Sequence, residues 1–268
     1  MRFFVVSDIH GFYNEFIYNL NKAGFIPEKD CLISCGDAMD RGSQPRQVID
    51  YLANLPNKVL IRGNHEILLE EALSRRFFQS HDFSNGTADT VYDFSTNPMA
   101  FTLSQAQACG EMNDDSLFNS YRNLLVNYFE TEHYIFVHSF IPLGDDGGSE
   151  DKDDWDSFNW YSSDHNNAFY LPSWRKVPDY MWEDAMWGNP FLLSKYNETG
   201  KTIVFGHFHT SYYHNKIAKT CSKELSKEKG LSDFSPAYYE KYHTIGIDAC
   251  TAYSHKVNIL ILEDEFII

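Results

Sequence analysis

Short apolar runs rich in β-branched and aromatic residues recur along the chain, at Phe3–Val6, Cys31–Cys35, Val59–Ile61, Tyr134–Val137, Thr202–Phe205, His243–Ile247 and Val257–Leu262. Runs of this length with little polar alternation predict strands buried on both faces. Helical spacings lie between the first three. Phe12, Phe16, Ile17 and Leu20 would share one helix face, and Val48, Ile49 and Leu52 follow the polar start Ser43-Gln44-Pro45, where proline suits a first helical turn. Strands alternating with helices predict an α/β layered fold. In the C-terminal third the strands follow one another with few helical patterns between them. This predicts a second, partly antiparallel sheet packed on the first, with helices outside.

Two stretches interrupt the rhythm. From about Ser80 to Leu125 the apolar residues are irregular, and only a helix near Leu117–Phe129 is predicted. The stretch Gly144–Asp156 carries seven carboxylates and one lysine. Its acids do not fall at EF-hand spacing, so it reads as a solvated loop rather than a calcium site. The expected organisation is one domain over residues 1–268 with cap insertions at about 80–130 and 144–200.

Composition narrows the function classes. With 268 residues and 43% hydrophobic positions the chain can bury a substantial core. A formal charge of −16 argues against general nucleic-acid binding. Apolar stretches such as Phe3–Val6 and Ile259–Leu262 are far short of the roughly 20 residues of a spanning helix, so no membrane association is expected. Met1-Arg2-Phe3-Phe4-Val5-Val6 runs directly into polar residues without an export-type segment. Five scattered cysteines (Cys31, Cys35, Cys109, Cys221, Cys250) suit free thiols in a reducing compartment, and a cytoplasmic protein is expected. Oligomeric state is not read from the sequence.

The chemistry emerges where polar residues meet strand ends. After the successive strands come Ser7-Asp8-Ile9-His10, Gly36-Asp37-Ala38-Met39-Asp40-Arg41-Gly42, Arg62-Gly63-Asn64-His65-Glu66, His138, and Gly206-His207-Phe208-His209. In open α/β sheets ligands collect outside the carboxyl ends of strands, so these distant segments are expected to converge. In extended chain residues i and i+2 point the same way, so Asp8 with His10, and His207 with His209, can each serve one ion. Gly36, Gly63 and Gly206, each directly before a candidate ligand, suit turns or close backbone approach. Carboxylates, imidazoles and an amide oxygen, without thiolate, suit Mn, Fe or Zn better than Mg or Ca.

These residues resemble the calcineurin-like metallophosphoesterases. Asp8-x-His10, G-D-x-x-D-R-G at 36–42, G-N-H-E at 63–66, His138 and G-H-x-H at 206–209 resemble that family's five motifs, in order, over residues 8–209. The arginine-bearing runs are similar in particular to the phosphoprotein phosphatase branch and its bacterial relatives, which include symmetrical diadenosine tetraphosphatases. The resemblance implies a two-sheet αββα sandwich with mixed sheets and a centre holding two divalent or transition metal ions. Asp37 would bridge the ions; Asp8, His10 and His209 would complete one site, and Asn64, His138 and His207 the other. His65 would be the general acid, oriented by Asp40, and Arg41 and Arg62 would clamp the phosphate. Paired cations can activate a water and steady both reacting oxygens of an in-line displacement, so no protein nucleophile is required.

The implied activity is hydrolysis of phosphate monoesters, with phosphoserine or phosphothreonine in proteins as the leading substrate. Dinucleoside polyphosphate hydrolysis is the rival, and an inactive metal-binding scaffold a third reading. Phosphoprotein phosphatases usually bring a further arginine to the substrate from the region between the last two ligand histidines. Trp182–Trp187 has none, and Arg175 is the nearest in sequence. The aromatic-rich stretch Trp155–Trp187 reads as internal packing ahead of base stacking. Asn85-Gly86 reads as a turn, and Asp248 as a structural or supporting acid.

Overall fold

The computed structural model describes residues 1–95, 104–145, 168–220 and 232–266. The acidic run from Asp146 onward, the aromatic residues before Ala168, and Cys221 lie outside them.

Two five-stranded sheets form the centre. Sheet one contains β1 (Arg2–Val6), β2 (Cys31–Ser34), β3 (Lys58–Ile61), β4 (Leu125–Val126) and, at the far end of the chain, β12 (Leu260–Glu263). Its order is β12-β1-β2-β3-β4, with β1 to β4 parallel and β12 antiparallel to β1. Sheet two contains β5 (Tyr128–Glu130), β6 (Tyr134–Val137), β9 (Thr202–Phe205), β10 (Ala237–Tyr239) and β11 (Thr244–Gly246), in the order β10-β11-β9-β6-β5. Its inner strands are parallel and both margins antiparallel. A separate ribbon pairs β7 (Leu143–Asp145) with β8 (Ala168–Tyr170).

The period of two along each strand explains the layering. Phe3 and Val5 of β1, Cys31 and Ile33 of β2, and Ile61 of β3 face Phe136, Val204 and Ile245 of sheet two, giving an apolar layer between the sheets. Phe4, Val6, Leu32 and Leu60 point the other way, onto helices. Ile135, Val137, Ile203 and Phe205 do the same on the far side of sheet two, against Trp174, Trp182 and Phe191. The expected two-sheet sandwich flanked by helices is therefore the observed fold. Cys31 and Cys35 share the inter-sheet layer, and Cys31, Cys35, Cys109 and Cys250 are free thiols.

The first helical layer begins with α1 (Tyr13–Lys22), α2 (Pro45–Asn54) and α3 (Asn64–Arg75), whose buried faces are Phe16 and Leu20; Val48, Ile49 and Leu52; and Leu69, Ala72 and Leu73. It continues through α4 (Ser80–Asn85), α5 (Thr87–Asp93), α6 (Gln105–Asp114) and α7 (Ser116–Arg122), which add Ala88, Val91, Ala108, Cys109, Met112, Phe118 and Tyr121 to the same core. On the other side α8 (Asp179–Ala185) buries Met181, Trp182 and Ala185.

The helix expected over Leu117–Phe129 is corrected. The Asp115 carboxylate caps α7, which closes as the Leu124 amide bonds the Tyr121 carbonyl. The apolar run that follows divides between β4 on sheet one and β5 on sheet two. Its residues serve two surfaces, so they mimic a helical spacing without forming one.

Candidate active site

The loops leaving β1, β2, β3, β6 and β9 meet where the two sheets adjoin. Hydrogen bonds join them: across the sheets the His207 amide donates to Asp8 Oδ2 at 2.9 Å and His138 Nδ1 to the Cys35 carbonyl at 2.8 Å, and within sheet two the Gly206 amide donates to the His138 carbonyl at 2.8 Å. Gly36 has φ +89°, and a Cβ there would stand 2.7 Å from both Gly63 Cα and His138 Nδ1, so both conformation and space require glycine.

Asp37 lies at the centre. Its Oδ2 is 3.7 Å from His10 Nε2 and 3.9 Å from His65 Nε2, while its Oδ1 is 3.4 Å from His138 Nε2. Two groups able to hold a metal ion share it: His10, Asp37 and His65, and Asp37, His138 and His207. Asp8 adjoins the first, with Oδ1 at 3.9 Å from His10 Nε2. These separations are long for hydrogen bonds, but two ligands of one tetrahedral ion at bond lengths near 2.1 Å stand roughly 3.4 Å apart.

The donor chemistry fits a cation. His10 Nδ1 gives its proton to the Met39 carbonyl at 3.0 Å and His138 Nδ1 to that of Cys35, so the Nε2 lone pairs of both rings face inward. His138 Nε2 and His207 Nδ1 both approach Asn64 Oδ1, at 2.8 and 3.0 Å. His207 also bonds the Trp187 backbone. With the outer ring nitrogens holding the protons, three lone pairs converge on one point, an arrangement that a metal ion satisfies.

The electrostatics agree. Burial, then the Arg41 and His65 charges, hold His10 well below the usual imidazole range, and burial with His138 lowers His207 to about 3. Neutral imidazoles are the form that ligates metal. Burial, then Asp37, pushes Asp8 up to about 6; the same causes raise Glu66, and burial with Asp8 raises Asp248 well above its ordinary value. Among Asp8, Asp37, Glu66 and Asp248, only Asp37 is depressed: burial opposes this, but His138, His65, His10 and His207 outweigh it. Crowded buried carboxylates of this kind are relieved by a cation.

His65 is built differently from the other imidazoles. Its Nδ1 donates to Asp40 Oδ2 at 2.8 Å, and its Nε2 accepts from Arg41 Nη2 at 3.1 Å. Arg41 Nη1 reaches His10 Nε2 at 3.0 Å, so one guanidinium spans both rings. Burial disfavours the His65 imidazolium, but Asp37 and Asp40 outweigh it and its pKa is raised. Arg62 stands further out: Nη1 is 3.8 Å from Glu183 Oε1, and the buried Nε has no hydrogen-bond partner. His209 is also apart, with Nδ1 bonded to Ser211 Oγ and its ring stacked on Phe208; neither metal-binding group includes it.

A family model for calcineurin-like phosphoesterases matches residues 1–231. The chain belongs to this family. Family members use divalent metals, in keeping with the Asp and His groups around Asp37. The phosphoesterase is 41% identical over 70 residues to the symmetrical bis(5'-nucleosyl)-tetraphosphatase of Buchnera aphidicola, covering 26% of each chain. It is 43% identical over 68 residues to serine/threonine-protein phosphatase 2 of Escherichia coli, covering 25% of this chain and 31% of the relative. Its alignments thus span about a quarter to a third of these curated relatives. The cold-active protein-tyrosine phosphatase of a psychrophilic Shewanella species shares the fold, with a TM-score of 0.51 at 15% identity over 98% of this chain and 75% of that one.

Several residues that order the site are not among the predicted ligands, acid pair or phosphate clamps. Glu66 accepts the amides of Asp37, Ala38 and Gly63 at 2.7–3.0 Å, tying the loop after β2 to the start of α3, and the buried Tyr121 hydroxyl donates to it at 3.1 Å. Thr87 and Thr90 bond the Asp40 carboxylate. Their spacing of three after Asn85-Gly86, one helix face of hydroxyls, is the available sequence signal. Asp248 accepts the Cys250 amide, and Thr251 Oγ1 donates to the Asp8 carbonyl. Arg175 is held by Glu130 and lies over Trp174, with its Cζ 4.2 Å from the ring centroid. With Arg62, Tyr128 and Trp182 it lines a cavity of about 610 Å³. Trp174 and Trp182 are buried and pack against Tyr128, so both serve the core rather than a stacking surface.

Proposed function

We infer that this phosphoesterase hydrolyses phosphate monoesters, with phosphoserine and phosphothreonine side chains as its substrate class. The observation that carries the reading is the Asp40–His65 pair, whose Nε2 faces Asp37 at 3.9 Å. An alkoxide is a poor leaving group, so a positioned acid contributes a factor of about 10²–10⁴. A phosphoanhydride releases a phosphate that needs little protonation, and for it such a pair is of small use.

In this reading Asp37 would be shared by two metal ions, with Asp8, His10 and His209 holding one and Asn64, His138 and His207 the other; Mn, Fe and Zn suit the donor set. Ions held there supply Lewis-acid polarisation of the phosphoryl oxygens and an activated water. The Arg41 guanidinium, held between two imidazoles, is placed to turn onto phosphate oxygens, and Arg62 approaches them from the side of the cavity. Asp40 keeps the His65 proton on Nδ1 and orients the ring, so that Nε2 can carry the second proton to the leaving oxygen. Once ions neutralise Asp37, Asp40 is the partner that continues to favour the imidazolium. The free thiols support a reducing, cytoplasmic setting.

Dinucleoside polyphosphate hydrolysis is the second reading, favoured by the names of several relatives, including the Buchnera enzyme. Purified protein, chelated and reloaded with Mn²⁺, is to be assayed on phosphoserine peptides and on diadenosine tetraphosphate. A higher kcat/KM on the peptides is expected, with up to two ions per chain by elemental analysis. A large preference for the dinucleotide selects the second reading. Absence of both metal and turnover selects an inactive scaffold.

A further inference from the structure

Asp40 is completely buried, and both of its carboxylate oxygens are used. Oδ2 accepts from His65 Nδ1 at 2.8 Å and from Thr87 Oγ1 at 2.7 Å; Oδ1 accepts from Thr90 Oγ1 at 2.8 Å. Thr90 Oγ1 also accepts the Asp40 amide at 3.1 Å, so one threonine holds both the backbone and the carboxylate of this residue. The backbone there is unusual: Asp40 and Arg41 have φ of 70° and 64°, left-handed values that a neighbouring structure must hold in place. The same segment supplies that hold. The Arg41 amide donates to the Asn85 carbonyl at 3.1 Å, and Gly86, at φ +86°, lies so close that a Cβ would stand 2.4 Å from the Arg41 nitrogen.

We propose that residues 85–90 act as a clamp, with Thr87 and Thr90 as positioning residues for His65 through Asp40. The proposal rests on the acid role of His65 inferred above. Hydroxyl donors stabilise a buried carboxylate without neutralising it. The carboxylate charge therefore remains available to the imidazole, whereas an arginine in their place would compete for it. Two short, stiff side chains one helical turn apart on α5 fix the plane of the carboxylate, and with it the direction of His65 Nε2. The turn between α4 and α5 thus places both the orienter of the acid and the backbone of Arg41.

The test is leaving-group dependence. Thr87→Val and Thr90→Val, with Thr→Ser at each position, are assayed on p-nitrophenyl phosphate, whose leaving group needs little protonation, and on a phosphoserine peptide, alongside His65→Asn. Expected are losses of about 10- to 100-fold in kcat on the peptide for the valine variants and a few-fold on the aryl ester. Serine should restore both, and metal content should not change. Thr90→Val added to His65→Asn should cost nothing more on the peptide. In the metal-free protein, the slowly exchanging His65 Nδ1 proton should be seen by NMR in wild type and the serine variants and lost with valine.

Equal losses on both substrates, or valine variants that keep wild-type peptide turnover and the NMR signal, overturn the clamp while leaving the acid role intact. If His65→Asn itself shows no leaving-group dependence, the acid role falls and the clamp with it. A valine variant too unstable to assay leaves the serine variants and their NMR signal to decide: loss of the signal despite a retained hydroxyl overturns the proposal.

Discussion

The two sheets contribute to the site in different ways. On the loops leaving sheet one, Asp8, His10, Asp37, Asp40 and Arg41 all take left-handed backbone conformations; among the candidate site residues carried by sheet two, His207 alone does. Such conformations cost about 1–3 kcal/mol each for residues other than glycine. Sheet one holds them with buried polar bonds from Glu66, Tyr121, Thr87 and Thr90. Sheet two delivers His138 and His207 directly from strand ends, and only His207 needs a left-handed backbone there, held by bonds to Asp8, Asn64 and the Trp187 backbone. Precision is thus concentrated on one side, and the other completes the donor set.

Asp37→Asn gives the largest expected effect. It weakens the member common to both groups, so metal content should fall sharply and turnover by more than about 10³-fold, the equivalent of several kcal/mol of lost charge stabilisation. Elemental analysis beside the assay checks this, and retained metal would remove Asp37 from its shared role. His65→Asn comes next: about 10² in kcat on an alkyl phosphate, with metal retained. Folding stability sharpens the comparison between the sheets. Glu66→Gln turns an amide NH₂ toward backbone donors and should destabilise by about 3 kcal/mol, whereas His207→Asn should cost about 1 kcal/mol or less. Equal shifts in thermal unfolding would mean that sheet one is not the more constrained side.

The smallest effect lies on β5. Burial works against ionisation of Glu130, but the bonds and charges of Arg175 and Lys201 outweigh it and hold its pKa below the ordinary range. The native state then binds fewer protons than the unfolded chain, so the stabilisation is full above the unfolded pKa of about 4.3 and is lost as pH falls through the folded value. Arg175→Ala should lower stability at pH 7 by about 1 kcal/mol or less, with the gap to wild type closing in acid. A gap that does not depend on pH would assign the loss to packing on Trp174.

What the sequence made legible follows the same division. Strands built from continuous apolar runs, and ligands placed directly after them, were readable because burial and strand-end position are local properties. Asp8, His10, Asp37, Asn64, His138 and His207 do gather as their spacing suggested. Leu124–Phe129 was misread because its apolar residues serve two sheets. Tyr121 left no local sign, and Thr87 and Thr90 left little beyond their spacing of three, since a buried hydroxyl acquires a role only from a partner about 50 residues away. For His209 the i+2 spacing alone carries the proposed ligand role; its Nδ1 bonds Ser211 Oγ and its ring lies beside Phe208.

The bonds at the meeting of the sheets also bear on when activity can arise. Asp8 is tied to the His207 amide 199 residues later and, through its carbonyl, to Thr251, 243 residues away. A chain still emerging from the ribosome can form β1 to β3 and their loops, with Ser7 Oγ already bonded to Asp8, but it lacks these two later donors until residue 251 is free. Contacts of such long range are slow to form. The phosphate ester hydrolysis proposed above is therefore expected only once the sandwich, rather than either sheet, is complete.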